Sequence, residues 1–309
     1  MVTLLSSFPC PEAPAQETWK QAVGPWSWSF PRDHGAHPEF RTEWWYFTGN
    51  LRDAAGNRYG YQLTFFRQGV RLRASDPRNP WSLRDLYPAH FAITDARTGA
   101  FRYAEQISRA GPGLAGAAKG GLNVWNLGWS AKMEGSLIRI RAQHGGMGLE
   151  LELVPRKPLV LHGDRGLSRK GPGRGQASYY YSLTDLATKG TIRTPGGGAP
   201  VSVEGASWLD REFSSNALTK DQEGWDWFSI RLSDGRELML YFLRKKDGTV
   251  EQESSGTLVE ADGRSLGLKT GEIGVEVLAT WTSQRSGGRY PGRWRIRVPA
   301  AGIDLTIAP

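Results

Sequence analysis

The stretch Glu43-Trp44-Trp45-Tyr46-Phe47-Thr48-Gly49-Asn50-Leu51 sets four consecutive aromatics behind one carboxylate, and Gly224-Trp225-Asp226-Trp227-Phe228-Ser229-Ile230-Arg231-Leu232 repeats its outline. Each copy is followed by a turn signal, residues 53–56 or Asp234-Gly235, and then by an apolar run ending Phe65-Phe66-Arg67 or Phe242-Leu243-Arg244. Two apolar runs joined by such a turn read as a β-hairpin. A hairpin that recurs at this distance implies two related β units in one chain. With 309 residues, each unit is large enough to bury a core without disulfides or a metal.

The rest of the chain agrees with this reading. Strand-like runs at 90–95, 101–103, 124–129, 137–142, 149–154 and 177–182 are separated by glycine or polar residues, almost without a helical period. Short strands at such spacing predict an antiparallel barrel or sandwich. Trp26-Ser27-Trp28-Ser29-Phe30 alternates as a half-buried strand does, and residues 18–23 suit a short amphipathic turn. Residues 111–121 are glycine-rich and lack the lysine and preceding strand of a phosphate-cradling loop, so they read as a connection. Thr194-Pro195-Gly196-Gly197-Gly198-Ala199-Pro200 breaks all patterning and is the expected domain boundary.

The net charge of +8 does not imply a nucleic-acid partner, because Lys and Arg are spread along the chain. Their one dense run, Arg169-Lys170-Gly171-Pro172-Gly173-Arg174, reads as a solvated loop. In Gly292-Arg293-Trp294-Arg295-Ile296-Arg297-Val298 the arginines alternate with apolar residues, as in a strand with one wet face. Cys10 is the single thiol, which excludes an intrachain disulfide and a cysteine-rich metal site. Residues 1–11 carry neither the basic leader nor the apolar run of a secretory signal, and no later run is long and apolar enough for a spanning helix.

Three places carry candidate chemistry. Pro31-Arg32-Asp33-His34-Gly35-Ala36-His37-Pro38-Glu39 is either a metal or acid/base site or an ordinary polar loop with histidines as hydrogen-bonding partners. Tyr179 and Tyr181 share one face of a strand and Tyr180 takes the other; their phenols either orient a ligand and pass a proton or are amphipathic sheet residues. Trp208, Asp210 and Glu212 recur every second residue and share one side of an extended segment. Facing an apolar cavity, at least one carboxyl has its pKa raised toward that of a general acid; on a surface strand the same pattern is salt-bridged. Arg41, Arg67, Arg211 and Arg244 are placed to pair with carboxylates such as Glu43 and Asp226 for structural reasons alone.

Together, the Asp33-His34-Gly35-Ala36-His37 loop, Glu43 to Phe47, His162-Gly163 with Ser168 to Gly171, Ser178 to Ser182, Trp208-Leu209-Asp210-Arg211-Glu212 and Gly224 to Phe228 resemble the AttH branch of the AttH/CrtC family, in order over nearly the whole chain. The resemblance implies an all-β fold of two lipocalin-like antiparallel β-barrel domains packed together, with an N-terminal extension at 1–30, a first domain at 31–195 and a second at 201–309. It also implies a bacterial, exported protein. Relatives of known activity are carotenoid 1,2-hydratases, which add water across a terminal double bond without a redox cofactor, through a Tyr-x-Asp motif with a His and a Trp. Asp210 matches that aspartate, Trp208 stands where the tyrosine would be, and the His/Trp pair has no match.

By this resemblance Asp210 protonates the alkene, Tyr181 or Glu212 positions and deprotonates water, and Trp208 with Trp225 or Trp227 stabilises the cation. Tyr179, His162 and Trp45 join the ligand-binding set, and His34, His37 and Glu43 shape the mouth or hold one barrel on the other. The scheme requires neither metal nor cofactor. The implied ligand is an elongated, isoprenoid-like apolar molecule taken up at a membrane surface. A non-catalytic carrier of such a ligand is the alternative. A secreted hydrolase using the Asp210 and Glu212 pair stands third.

Overall fold

The computed structural model describes residues 18–194, 197–216 and 218–308. Cys10, residues 1–11, and Pro195-Gly196 of the expected boundary lie outside them. The chain is all-β, with twenty strands and three short 3₁₀ turns among the described residues. The first unit contains β1 (Thr42–Arg52), β2 (Arg58–Gly69), β3 (Asp85–Asp95), β4 (Ala100–Arg109), β5 (Ala115–Ala117), β6 (Asn123–Asn126), β7 (Trp129–Glu134), β8 (Leu137–His144) and β9 (Met147–Pro155). It continues through β10 (Val160–Leu161), β11 (Leu167–Arg169), β12 (Ala177–Arg193) and β13 (Val201–Ser214).

These thirteen strands form one sheet in the order β4-β3-β2-β1-β13-β12-β9-β8-β7-β6-β5, with β10 and β11 also on β12. Its two ends meet. Gln106 Nε2 of β4 donates to Asn126 O of β6 at 2.8 Å, and Ser108 Oγ donates to Asn126 Oδ1 at 2.8 Å. The sheet is thus a nearly closed, lipocalin-like barrel, and closure removes the unpaired edges that an open sheet exposes. Alternate residues of its strands, among them Phe47, Leu63, Phe91, Ile140, Leu153 and Leu209, fill the interior.

The second unit comprises a sheet of β14 (Gln222–Arg231), β15 (Glu237–Lys245), β16 (Ser255–Val259) and β17 (Ser265–Lys269), and one of β18 (Gly274–Thr282), β19 (Arg289–Val298) and β20 (Ile303–Ile307). Leu240, Leu258, Ile296 and Val298 belong to the core between these sheets. Both repeated hairpins form, as β1–β2 and β14–β15. The arginine-rich run is β19, with Ile296 and Val298 buried and Arg293 and Arg297 exposed.

Four local expectations change. The run 124–129 is two strands, because Leu127 takes a positive φ of 50° and turns β6 into β7. The connection 111–121 contributes β5. Residues 26–30 alternate half-buried and exposed, yet form no ladder, since their partners are aromatic rings rather than another backbone. Residues 18–23 form no turn, and Lys20 N donates to Glu39 O at 2.9 Å. β12 and β13 pair from Ile192↔Val201 inward, so the 194–200 segment connects neighbouring strands of one sheet, which runs on to Ser214.

Candidate functional site

β1, β13 and β12 lie side by side, and their register sorts every candidate residue onto one of two faces. Tyr46, Asp210 and Ser182 are opposite one another, as are Trp44, Glu212 and Tyr180. With Trp208 they share the face that meets β14 and β15, where Tyr180 and Trp208 cluster with Met239, Tyr241 and Leu243. The intervening residues Glu43, Trp45, Arg211, Phe213, Tyr179 and Tyr181 point the other way.

Asp210 is buried on the first face. Its Oδ1 accepts the Ser182 hydroxyl and, at 2.7 Å, the Trp208 indole N–H. The Tyr180 hydroxyl also bonds its carboxyl, and takes the Trp227 indole N–H at 3.2 Å. Behind Ser182 stands His162, with Nε2 2.7 Å from Ser182 Oγ and Nδ1 2.9 Å from Thr257 Oγ1 of the second unit. Burial dominates the balance at Asp210 and pushes its pKa up to about 7 despite the three donors, with Glu212 adding repulsion. Burial and the Lys170 charge push His162 down to about 3, so its ring is neutral at neutral pH. One consistent polarity runs Thr257 to His162 to Ser182 to Asp210 Oδ1.

Beside this cluster opens a cavity of about 440 Å³ between the two units, lined by Trp44, Lys170, Ser178, Glu212, Trp225 and Trp227 with neighbouring residues. Glu212 lies about 6.6 Å along the strand from Asp210, two rises of about 3.3 Å. Its Oε1 is 3.2 Å from Lys170 Nζ. Lys170 therefore leaves the solvated loop in which its sequence placed it, and its ammonium lies 4.0 Å from the Tyr241 ring centre. Asp210 is not among the lining residues; Trp227 is, and its ring also packs against Tyr46 at 5.2 Å and Trp208 at 6.4 Å. Only Glu212 of the carboxylate pair lines the cavity.

The opposite face holds a buried ionic network. Glu43 receives Arg67 and Arg211, Arg67 also reaches Asp85 at 2.7 Å, and His37 Nε2 lies 3.0 Å from Asp33 Oδ1. Burial opposes ionisation of Glu43, but Arg211, Arg67 and His37 hold its pKa well below the usual range. Glu43, His37 and Trp45, whose indole donates to His34 O at 2.8 Å, are thus structural and lie away from the cavity. Tyr179 packs on Trp26 and Phe213. Tyr181 bonds His34 Nδ1 at 2.6 Å on this same face, so the register denies it the proton-transfer role beside Asp210. Tyr180, which the sequence put on the other face from Tyr179 and Tyr181, is the phenol on the face of Asp210. The His-rich loop proves to be hydrogen-bonding structure, and among the described residues no group of three or more His, Cys, Asp or Glu is placed to hold a metal. Asp226, in the second hairpin, pairs with Arg244 at 3.0 Å.

A family model described as AttH-like matches residues 21–309. The chain belongs to the AttH family. A crystal structure of an AttH protein from Nitrosomonas europaea is 35% identical, covering 90% of this chain and 84% of that one with a TM-score of 0.81. Kievitone hydratase from Nectria haematococca, at 15% identity, superposes with a TM-score of 0.67 over 94% of this chain and 83% of that one. CghA, solved with Sch210972, superposes at 0.53 with 15% identity over 87% of this chain and 75% of that one. At such identities the last two share the fold of this AttH chain. A search of curated proteins finds no match.

Proposed function

We propose that this AttH chain binds an elongated, largely apolar molecule in the cavity between its units and adds water across a carbon–carbon double bond of it by acid catalysis. The observation that carries the reading is Asp210: a dry carboxyl, uncharged below about pH 7, ringed by Trp208, Trp227 and Tyr46 and backed by a hydrogen-bonded chain to His162. Asp210 gives its proton to the less substituted alkene carbon and a tertiary cation forms on the other. The π faces of Trp227 and Trp208 stabilise that charge. Water then attacks the cation, and the proton it loses returns to the Asp210 carboxylate through Tyr180, so the enzyme is regenerated. Exclusion of bulk water by the aromatic wall keeps the cation from uncontrolled reaction. Since Asp210 lies beyond the cavity lining, the half-buried Trp227 has to turn aside as the alkene enters.

That same separation favours one second reading, a carrier that holds its ligand without reacting it. Incubation with a panel of acyclic isoprenoids in oxygen-18 water, followed by mass spectrometry, separates the two. The hydratase gives product heavier by one labelled water, and Asp210→Asn lowers its yield at least about 100-fold, as expected for loss of a general acid. Unlabelled, unchanged isoprenoid recovered from both proteins identifies a carrier. Export and ligand uptake at a membrane surface belong to the same proposal, and cell fractionation tests them.

A further inference from the structure

We infer that the ligand of the cavity carries a carboxylate, held at the cavity mouth by the Arg41 guanidinium and the Gln68 amide, with its apolar chain running inward past Trp44 to Trp227. The inference rests on the binding part of the proposed function and adds the chemical class of the ligand. It starts from an arginine without a partner. Of the four arginines whose positions in the sequence suit carboxylate pairing, Arg67 and Arg211 meet Glu43, and Arg244 meets Asp226. Arg41 meets neither, and among the described residues its guanidinium makes no hydrogen bond or ion pair. The residue is exposed and lines the cavity, so a ligand reaches it. The backbone beneath it is fixed on both sides: Arg41 N donates to Ser215 Oγ at 3.1 Å, and Arg41 O accepts from Gly69 N at 2.6 Å.

Register places the rest of the mouth. Thr42, the next residue, is directly opposite Gln68 of β2 and Ser214 of β13. Gln68 lines the same cavity and is half-buried, and its amide is likewise without a hydrogen-bonding partner among the described residues. Two residues further along β1, Trp44 is opposite Glu212; two further again, Tyr46 is opposite Asp210 and packs on Trp227. The cavity thus has donors at one end and indoles toward the other. Its one carboxylate, Glu212, is paired with Lys170 at 3.2 Å, which leaves Arg41 as the uncompensated charge of the lining. A cationic head is repelled there, and an uncharged one leaves the guanidinium to water. A carboxylate takes the planar N–H fork in two parallel hydrogen bonds and the Gln68 N–H in a third. Along β1, Tyr46 lies about 17 Å from Arg41, five rises of about 3.3 Å, so only a double bond remote from the carboxylate comes near Asp210.

The test is calorimetric titration of the full chain with decanoate and with decan-1-ol at neutral pH, where the acid is ionised. The two probes share a chain length and differ in the charge of the head. Decanoate is expected to bind at least about tenfold more tightly, about 1.4 kcal/mol. Arg41→Met keeps the apolar stem and removes the charge; it should cost decanoate at least about tenfold and move decan-1-ol by less than about twofold. Gln68→Leu should cost decanoate about threefold, and Arg41→Lys should restore part of what Arg41→Met loses. A thermal melt matching the wild type shows each variant folded. Decan-1-ol binding as tightly as decanoate overturns the inference. So does an Arg41→Met variant that weakens both probes equally or neither, or failure of decanoate to bind. Both probes are saturated, so the outcome is independent of water addition. A decanoate preference with no oxygen-18 product sinks the hydratase reading alone; labelled isoprenoid product with no decanoate preference sinks this inference alone.

Discussion

Asp210 and Glu43 show how one residue type takes opposite states in a single sheet. Both are buried carboxyls on neighbouring strands. Glu43 has two guanidiniums within its network and stays ionised; Asp210 has hydroxyl and indole donors, with the Lys170 charge only at longer range, and burial wins. The Asp210 shift makes stability depend on pH. Its carboxyl titrates near 7 in the folded chain and near 3.8 when unfolded, so between those values the native state holds a proton the unfolded state has lost. The stabilisation present below about pH 4 is therefore lost as pH rises through 7, by up to about 4 kcal/mol at about 1.4 kcal/mol per unit. Urea melts should show the wild type losing about 3 kcal/mol between pH 5 and pH 8 relative to Asp210→Asn, a difference set by two of those units. A parallel decline of the two proteins would place the Asp210 pKa near its ordinary value. The same titration should cut hydration above pH 7 by about tenfold per pH unit.

β12 and β13 are the elements on which the site depends. At seventeen and fourteen residues they are long enough to run through the barrel wall at one end and the inter-unit face at the other. β12 shifts register between Leu183 and Leu186, and in that bulge Asp185 meets Arg156 of the first unit at a carboxylate–guanidinium pair and Arg231 of β14 at 3.0 Å. Close strand approach requires Gly205, where an added Cβ would run into the Asn50 carbonyl of β1. Gly205→Ala is accordingly expected to destabilise the barrel by about 2 kcal/mol or more, through displaced backbone rather than lost side-chain contact. A thermal melt of that variant indistinguishable from wild type would show that the two strands have room to part.

Across the whole molecule, the two units are joined by contacts that neither can satisfy alone. Lys157 Nζ reaches Glu237 at 2.7 Å and Glu260 O at 2.9 Å, His162 bonds Thr257, and Ser168 Oγ lies 3.0 Å from the Tyr241 hydroxyl. Separation would strand a buried ammonium, a neutral imidazole and the Asp210 cluster in water or without partners. Calorimetry is expected to record one cooperative endotherm for the full chain. Two resolved endotherms would mean that the interface does not couple the units, and that the cavity opens before either core melts.

Alternation and turn chemistry were enough to make the strands, the repeated hairpin and the shared side of Trp208, Asp210 and Glu212 legible, because a period of two and a tight turn are local properties of the chain. The motif order also carried the family. The sequence could not say which side of a strand faces which unit, since Tyr179, Tyr180 and Tyr181 are alike in composition and all buried; only the β12–β13 register puts Tyr180 with Asp210 and sends Tyr181 to His34. His162 and Ser182 escaped assignment to the acid because forty-eight and twenty-eight residues separate them from it in the chain, and pairing alone closes that distance. Glu43 looked like a ligand residue for the same reason that Asp210 looked like an acid: a carboxylate among aromatics. Which of the two is ionised depends on where the arginines arrive, and that is settled by strands folding together, not by their order along the chain.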